Sequence, residues 1–232
     1  MTDSLLEGAA VFGINLSALQ IEQFSEYNRI LEYRNSNTNL TAVVGEEEVI
    51  FRHFLDSLAL FQVSGFKGSK IIDIGTGAGF PGVPLKIADN TIALTLLDSR
   101  KKRVEFLRDL CGHLGLQAEL LCGRAEELSN RSEHRDNYDF AVSRALARLN
   151  VLCELCMPYV RVGGAFLAMK ASGSSEELAE AENAVLLLGG KIENVYDYEV
   201  GKINRNIIVI KKLVPTPEGY PRRFARLQKQ PL

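Results

Sequence analysis

The chain has 232 residues, 46% of them apolar, enough to bury a sizeable core in one large domain or in a domain with a small appendage. Residues 1–15 carry neither a basic start nor a long apolar run, no stretch of about 18 uninterrupted apolar residues occurs, and the four cysteines suit reduced thiols, so a cytoplasmic protein without a membrane span is expected. A net charge of −2 excludes a surface that is basic all over, yet residues 201–232 hold eight basic residues against Glu218 alone while 176–199 are strongly acidic, so a nucleic-acid partner would meet a local patch.

In chain order, residues 17–35 place Leu19, Phe24, Tyr27, Ile30 and Leu31 at roughly helical spacing, and 46–61 do the same with Val49, Ile50, Phe54, Leu55 and Leu58. The pattern predicts a small helical N-terminal region over residues 1–66. Between the helices lies Asn39-Leu40-Thr41, and the second helix carries Arg52-His53 one turn before Asp56-Ser57. Arg52 and Asp56 stand at i and i+4, for which the simplest account is a salt bridge on one helix face.

Residues 70–82 read K-I-I-D-I-G-T-G-A-G-F-P-G: an apolar strand, a glycine turn, and a helix opened at Pro81. Glycines at 75, 77 and 79 let the backbone turn tightly and approach a ligand closely. The dinucleotide fingerprint needs its third glycine at position 80, which is Phe80. What stands here is Asp73-x-Gly75-x-Gly77-x-Gly79, which resembles motif I of the class I S-adenosylmethionine methyltransferases. A second apolar run, 92–97, ends in Asp98, 25 residues after Asp73, where a carboxylate can accept ribose hydroxyls or cap the helix that follows.

Beyond motif I the pattern alternates as a parallel sheet requires: a helix over 101–114, a strand over 117–122, a polar loop over 129–137, and a strand over 138–143. A helix over 150–159, a strand over 164–169 and a long helix over 175–188 follow. Strands over 191–200 and 205–211 come without a helix between them, which predicts a hairpin whose last strand runs antiparallel. The expected architecture is α/β: a class I, Rossmann-like, seven-stranded and mostly parallel sheet over residues 67–213, preceded by the helical region and followed by a basic tail over 214–232.

Gly123-Arg124-Ala125-Glu126 follows the third strand and Ser143-Arg144-Ala145 the fourth, so these should meet Gly75–Phe80 and Asp98 outside the carboxyl ends of the strands. Together with Asn39-Leu40-Thr41, Arg52-His53…Asp56-Ser57, Phe80-Pro81-Gly82, Leu97-Asp98-Ser99 and Lys102-Arg103, they resemble the bacterial small-subunit ribosomal RNA guanine-N7 methyltransferase family, also called glucose-inhibited division protein B. The similarity covers nearly the whole chain. It implies S-adenosylmethionine as donor and a guanine in the 530-loop region of 16S rRNA as acceptor, free or in an assembling small subunit. It implies cofactor contacts from Asp73, Gly75, Gly77, Gly79, Phe80, Asp98, Ser99, Ala125, Glu126 and Arg144. Phe80 is expected to wall the adenosyl group, and Ala125 and Glu126 to meet the adenine edge.

RNA contacts are expected from Lys102, Arg103, Lys170, Arg205, Arg222 and Arg223, and a substrate-orienting role from His53 or Arg144. The chain departs from the family at Arg34, where Trp is usual before Asn35, and in the tail, where Phe224-Ala225-Arg226-Leu227 follows Pro221-Arg222-Arg223 in place of the usual turn residues.

Guanine N7 already carries a lone pair, so methyl transfer to it needs alignment and desolvation and no general base. Accordingly the sequence has no Asn/Asp-Pro-Pro-Tyr motif for exocyclic amines and no Pro-Cys or Thr-Cys nucleophile. Cys153-x-x-Cys156 lies on an apolar stretch without a second ligand pair and reads as core, with no metal expected. His113 and His134 read as surface residues, and a monomer is expected. A small-molecule methyltransferase and a non-catalytic adenosyl- or RNA-binding module are the competing readings. The basic tail favours RNA.

Overall fold

A computed structural model describes residues 2–38, 40–63, 65–173 and 175–232. Ahead of the sheet come α1 (Thr2–Val11), α2 (Ala18–Thr38), and a stretch from 46 to 62 in which α3 (Glu46–Val49) passes into a π-helical turn (Ile50–Leu55), α4 (Asp56–Leu58) and a 3-10 turn (Ala59–Gln62). The α/β part contributes β1 (Lys70–Ile74), α5 (Gly82–Ala88), β2 (Ala93–Asp98), α6 (Lys101–Leu114), β3 (Ala118–Cys122), α7 (Ala125–Leu128), β4 (Tyr138–Arg144), α8 (Leu149–Cys156), β5 (Val160–Ala171), α9 (Ser175–Leu187), β6 (Gly190–Val200) and β7 (Ile203–Lys212). One further helix, α10 (Phe224–Lys229), lies in the tail.

The seven strands lie in the order β3-β2-β1-β4-β5-β7-β6. Only β7 is antiparallel, paired to β5 on one side and β6 on the other, as the helix-free connection requires. Strands β1 and β4 sit side by side at the point where the order reverses, and a ligand crevice opens there outside the strand ends.

The two faces of the sheet carry separate cores. On one, Ile71, Val142, Leu167 and Val209 pack with Leu5, Phe24, Phe54 and Leu58 of the N-terminal helices and Leu107 of α6. Complete burial of a side chain such as Phe24 or Phe54 stabilises the fold by about 1.5–3 kcal/mol. On the other, Ile72, Leu97, Phe166 and Ile208 pack with Leu152 of α8, Ala184 of α9 and Leu227 of α10.

The N-terminal helices also finish the sheet's own helices. Gln20 donates to the Ile87 and Ala88 carbonyls at the end of α5, and Gln23 donates to the Leu114 carbonyl at the end of α6, each 2.8 Å. Carbonyls of the last turn have no partner within a helix, so α2 supplies their caps. Tyr27 reaches the glycine turn itself, its hydroxyl donating to the Ala78 carbonyl at 2.6 Å.

Several expectations are corrected. Helix α5 begins at Gly82 instead of Pro81, because the Asp73 carboxylate takes the Gly82 amide at 2.8 Å. Arg52 pairs with Glu48, and Asp56 turns inward to Arg144 at 2.7 Å, because the π-helical turn between 52 and 56 takes them off a common face. His134 is buried and hydrogen-bonds the Tyr138 hydroxyl at 3.0 Å, while His113 is exposed. Asn39 of the Asn-Leu-Thr segment lies outside the described residues.

Candidate functional site

The turn after β1 is built as its spacing requires. Gly75, Gly77 and Gly79 have φ of +73°, +62° and +104°, the left-handed region that side chains rarely adopt. A Cβ on Gly75 would stand 2.8 Å from the Leu146 methyls, and one on Gly79 would stand 2.7 Å from the Tyr27 hydroxyl. Glycine at 75 thus keeps a cavity wall open, and glycine at 79 seats the turn against α2.

A cavity of about 350 Å³ opens over the carboxyl ends of β1 to β4, within the size range of small-molecule sites. Its floor includes Ile74, Gly75, Leu97 and Ser99, one wall Ala125 and Glu126, and another Leu146, Ala147 and Arg148. Of the residues expected at the cofactor, Gly75, Ser99, Ala125 and Glu126 therefore line one space.

Asp98 lies just beneath, 2% exposed, accepting from the Gly77 amide at 3.0 Å and the Arg100 amide at 2.8 Å and pairing with Arg103 at 3.1 Å. It thus ties the glycine turn to the first turn of α6, and the Arg103 guanidinium is committed to it. Asp73 is fully buried. One of its oxygens accepts from Thr76 and Gly82, each at 2.8 Å, and the other has no hydrogen-bond partner. Desolvation raises its pKa to about 7.

Phe80 does not line this cavity. Its ring is stacked between Tyr27, 5.1 Å away at 6°, and His53, 4.3 Å away at 22°, with the Arg144 guanidinium 5.1 Å from its centre. It anchors the glycine turn to the N-terminal helices.

Around Phe80 a polar cluster joins three parts of the chain. The Asn35 amide brackets the Thr41 main chain with two bonds of 2.9 Å, and the Thr41 hydroxyl is then 2.8 Å from His53 Nε2. Arg144 donates to His53 Nδ1 at 3.0 Å and to Asp56 at 2.7 Å, and Asp56 also accepts from the Tyr198 hydroxyl at 2.8 Å with Arg205 at 3.7 Å. Nδ1 thus stands between a guanidinium that can only donate and, also at 3.0 Å, the Arg52 carbonyl, which can only accept. The Thr41 hydroxyl, able to donate or accept, meets Nε2 in either tautomer and accepts from the Val43 amide.

Burial, first, and the neighbouring Arg144 charge lower the His53 pKa to about 3, so the ring is neutral and both nitrogens are engaged. A second cavity, of about 340 Å³, opens beside Arg144 and is lined by Ala145, Lys170 and Arg205 among others. Lys170 donates to the Ala147 carbonyl at 2.9 Å and pairs with Glu177, also at 2.9 Å. The segment after β4 separates the two cavities, and Ala145 on it has φ of +55°, strained for a residue with a Cβ.

Arg222, expected at the RNA, is largely buried. Its side chain forms a forked pair with Glu154 of α8, which is 0% exposed. Lys102 and Arg223 are exposed. Cys153 and Cys156 are buried with their thiol pKa values pushed up by desolvation, and no cluster of three metal-ligating side chains occurs among the described residues. None of the described helices is long and apolar enough to cross a membrane.

Asp73 and His53 should oppose each other in stability against pH. Asp73 has a folded pKa above its unfolded 3.8, so it contributes stability that is lost as pH rises from about 4 to 7. His53 has a folded pKa below its unfolded 6.5, so its contribution is lost as pH falls from 6.5 toward 3. Relative to wild type, Asp73→Asn should gain stability as pH rises through the first window, and His53→Gln should gain as pH falls through the second. Urea midpoints at pH 4.5 and 6.5 check both, and parallel profiles for all three proteins would contradict the assignment.

Comparison with known proteins gives concordant results. A sequence model of the rRNA small subunit methyltransferase G family matches residues 20–208. A protein named ribosomal RNA small subunit methyltransferase G from Alkaliphilus oremlandii is 46% identical, covering 100% of this chain and 99% of that protein. One of the same name from Acetivibrio thermocellus is 43% identical, over 98% and 95%. Among solved structures, a SAM-dependent methyltransferase from Aquifex aeolicus superposes with a TM-score of 0.54 at 18% identity, covering 70% of this chain and 92% of that one, a likeness of fold.

Proposed function

This chain belongs to the rRNA small subunit methyltransferase G family, and on that premise we propose that it methylates N7 of a guanosine in the 530-loop region of 16S rRNA with S-adenosylmethionine as donor. The observation that carries the reading is the pair of cavities divided by the segment after β4, one over the glycine turn and one beside Arg144, Lys170 and Arg205.

The residues of the first cavity suit an adenosyl group. Ala125 and Glu126 on its wall offer a main-chain amide and a carboxylate to the base, and Asp98, just beneath its floor between Leu97 and Ser99, offers a carboxylate to the ribose. When bound, S-adenosylmethionine supplies a methyl group activated on a sulfonium.

The second cavity suits the RNA. Arg144, Lys170 and Arg205 line one concavity with Glu177 as the acid among them, a net positive lining fitted to a phosphate or to the oxygen beside guanine N7. Exposed Lys102 and Arg223 offer further positive charge to phosphates. His53 is neutral and fully engaged, which suits a reaction that transfers no proton to the enzyme. Its work is to hold Arg144 and Phe80 in place, and rate then comes from alignment and exclusion of water.

Replacing Asp98 by alanine should weaken cofactor binding by about 1.5–3 kcal/mol, since a charged acceptor is lost. Calorimetric titration with S-adenosylmethionine measures this, and unchanged affinity would remove Asp98 from the site. The function itself is tested on 16S rRNA from cells with and without the gene, treated with borohydride and aniline to cut at N7-methylguanine. The expected result is one cut that disappears with the gene. An identical pattern in both would overturn the reading.

A further inference from the structure

We propose that the C-terminal helix α10 is part of the cofactor site, its Phe224 ring and Gln228 amide forming the wall against which the adenine lies. The inference rests on the reading of the first cavity as the adenosyl site and adds residues that none of the nucleotide-binding motifs contains.

The cavity over β1 to β4 is lined by Phe224, Gln228 and Pro231 as well as by Ala125 and Glu126. The expected aromatic wall, Phe80, is stacked away between Tyr27 and His53. Phe224 is thus the aromatic side chain that lines the space, and its ring lies 5.6 Å from the Arg124 guanidinium, one residue before the Ala125–Glu126 wall. A purine needs a flat apolar surface on its face and hydrogen-bonding groups on its edge. An aromatic ring supplies the first, and a carboxamide, with donors and an acceptor, supplies the second beside Glu126.

The wall is held in place by more than its own packing. Arg222, two residues before Phe224, binds Glu154 through its main-chain amide at 2.7 Å and its guanidinium at 2.7–3.1 Å, and Glu154 belongs to α8, whose Val151 and Leu155 line the same cavity. Arg135 clamps the approach to the helix, donating to the carbonyls of Thr216, Pro217 and Tyr220 at 2.9–3.2 Å. Leu227 is 0% exposed, so α10 sits in the core on one side and faces the cavity with Phe224 and Gln228. A solvated basic tail would need none of these contacts.

The test uses the full chain as Phe224→Leu, Phe224→Ala and Gln228→Ala, titrated calorimetrically with S-adenosylhomocysteine and with 5′-methylthioadenosine, which keeps the adenosyl group and lacks the amino acid. The expected result is a rise in Kd of at least tenfold for Phe224→Leu and more for Phe224→Ala, equal for the two ligands, with a smaller rise for Gln228→Ala. The unfolding midpoint of Phe224→Leu without ligand should stay at the wild-type value, which separates a lost ring from a loosened fold. Wild-type affinity in Phe224→Leu would overturn the proposal, as would a loss confined to S-adenosylhomocysteine, since that would put the helix at the amino-acid end. Wild-type protein that binds neither ligand would overturn the reading of the cavity itself, a result distinct from either.

Discussion

Replacing Arg222 by alanine should cost the fold about 3–5 kcal/mol, the usual penalty for stranding a buried charge. Glu154 is 0% exposed and sits in the middle of the apolar helix Leu149–Cys156, and both its oxygens are occupied by Arg222. With the guanidinium gone, the carboxylate must take up a proton or draw water into the core around Leu152 and Leu227. Urea denaturation should show the midpoint falling with little change in slope. The double replacement Glu154→Leu with Arg222→Met should recover most of the loss, because two apolar side chains of similar volume avoid the desolvation that the pair must offset. A single variant within about 1 kcal/mol of wild type would mean that the pair is wet, and the tail more loosely held than its hydrogen bonds indicate.

The same pair shows what was legible in the sequence and what was not. The glycine turn could be read because its three glycines answer a local need, positive φ, which no tertiary partner alters. Helix α6 has the predicted bounds Lys101–Leu114, since its apolar stripe is long and Gly115 ends it at φ of +65°. Helix α10 spans six residues, too few for a period to declare itself, and its contacts lie on an element some seventy residues upstream. One signal was available: Glu154 interrupts Val-Leu-Cys-Glu-Leu-Cys, and a charge in an apolar helix needs a partner. Eight basic residues in the last stretch obscured which of them it was.

Inside the N-terminal helical stretch the difficulty is geometric. The spacing of Arg52, His53 and Asp56 suits a regular helix, and the π-helical turn rotates His53 and Asp56 toward the sheet while Arg52 stays exposed. Neither the insertion nor its purpose shows in side-chain periodicity. Phe80 presents the related problem that a motif fixes a position in the backbone and not the direction of a ring. The sequence around it suits a cofactor wall, and its neighbours Tyr27, His53 and Arg144 come from three other segments of the chain.

Asp56→Ala should be of similar severity, about 3–5 kcal/mol, and should in addition separate methyl transfer from cofactor binding. Asp56 is 2% exposed and is the common acceptor for Arg144, from β4, and Tyr198, from β6, with Arg205 of β7 close by. Removing it leaves the Arg144 guanidinium, itself only 12% exposed, without its counter-charge and the buried Tyr198 hydroxyl without an acceptor. Two positive groups, Arg144 and Arg205, then face each other across the vacated space. The gentler Asp56→Asn keeps an acceptor for Arg144 and loses the charge, so it should fold and can be assayed. Its affinity for S-adenosylhomocysteine should stay within about threefold of wild type, a difference below 1 kcal/mol, because Asp56 does not line the first cavity, which we propose holds the cofactor. Its transfer rate to 16S rRNA should fall by about tenfold or more, since misplacing one positioning group commonly costs that much. Cofactor calorimetry and single-turnover methylation on the same preparation measure both. A transfer rate at the wild-type level in Asp56→Asn would show that Arg144 holds its place beside the second cavity without this carboxylate, leaving Asp56 a role in stability alone.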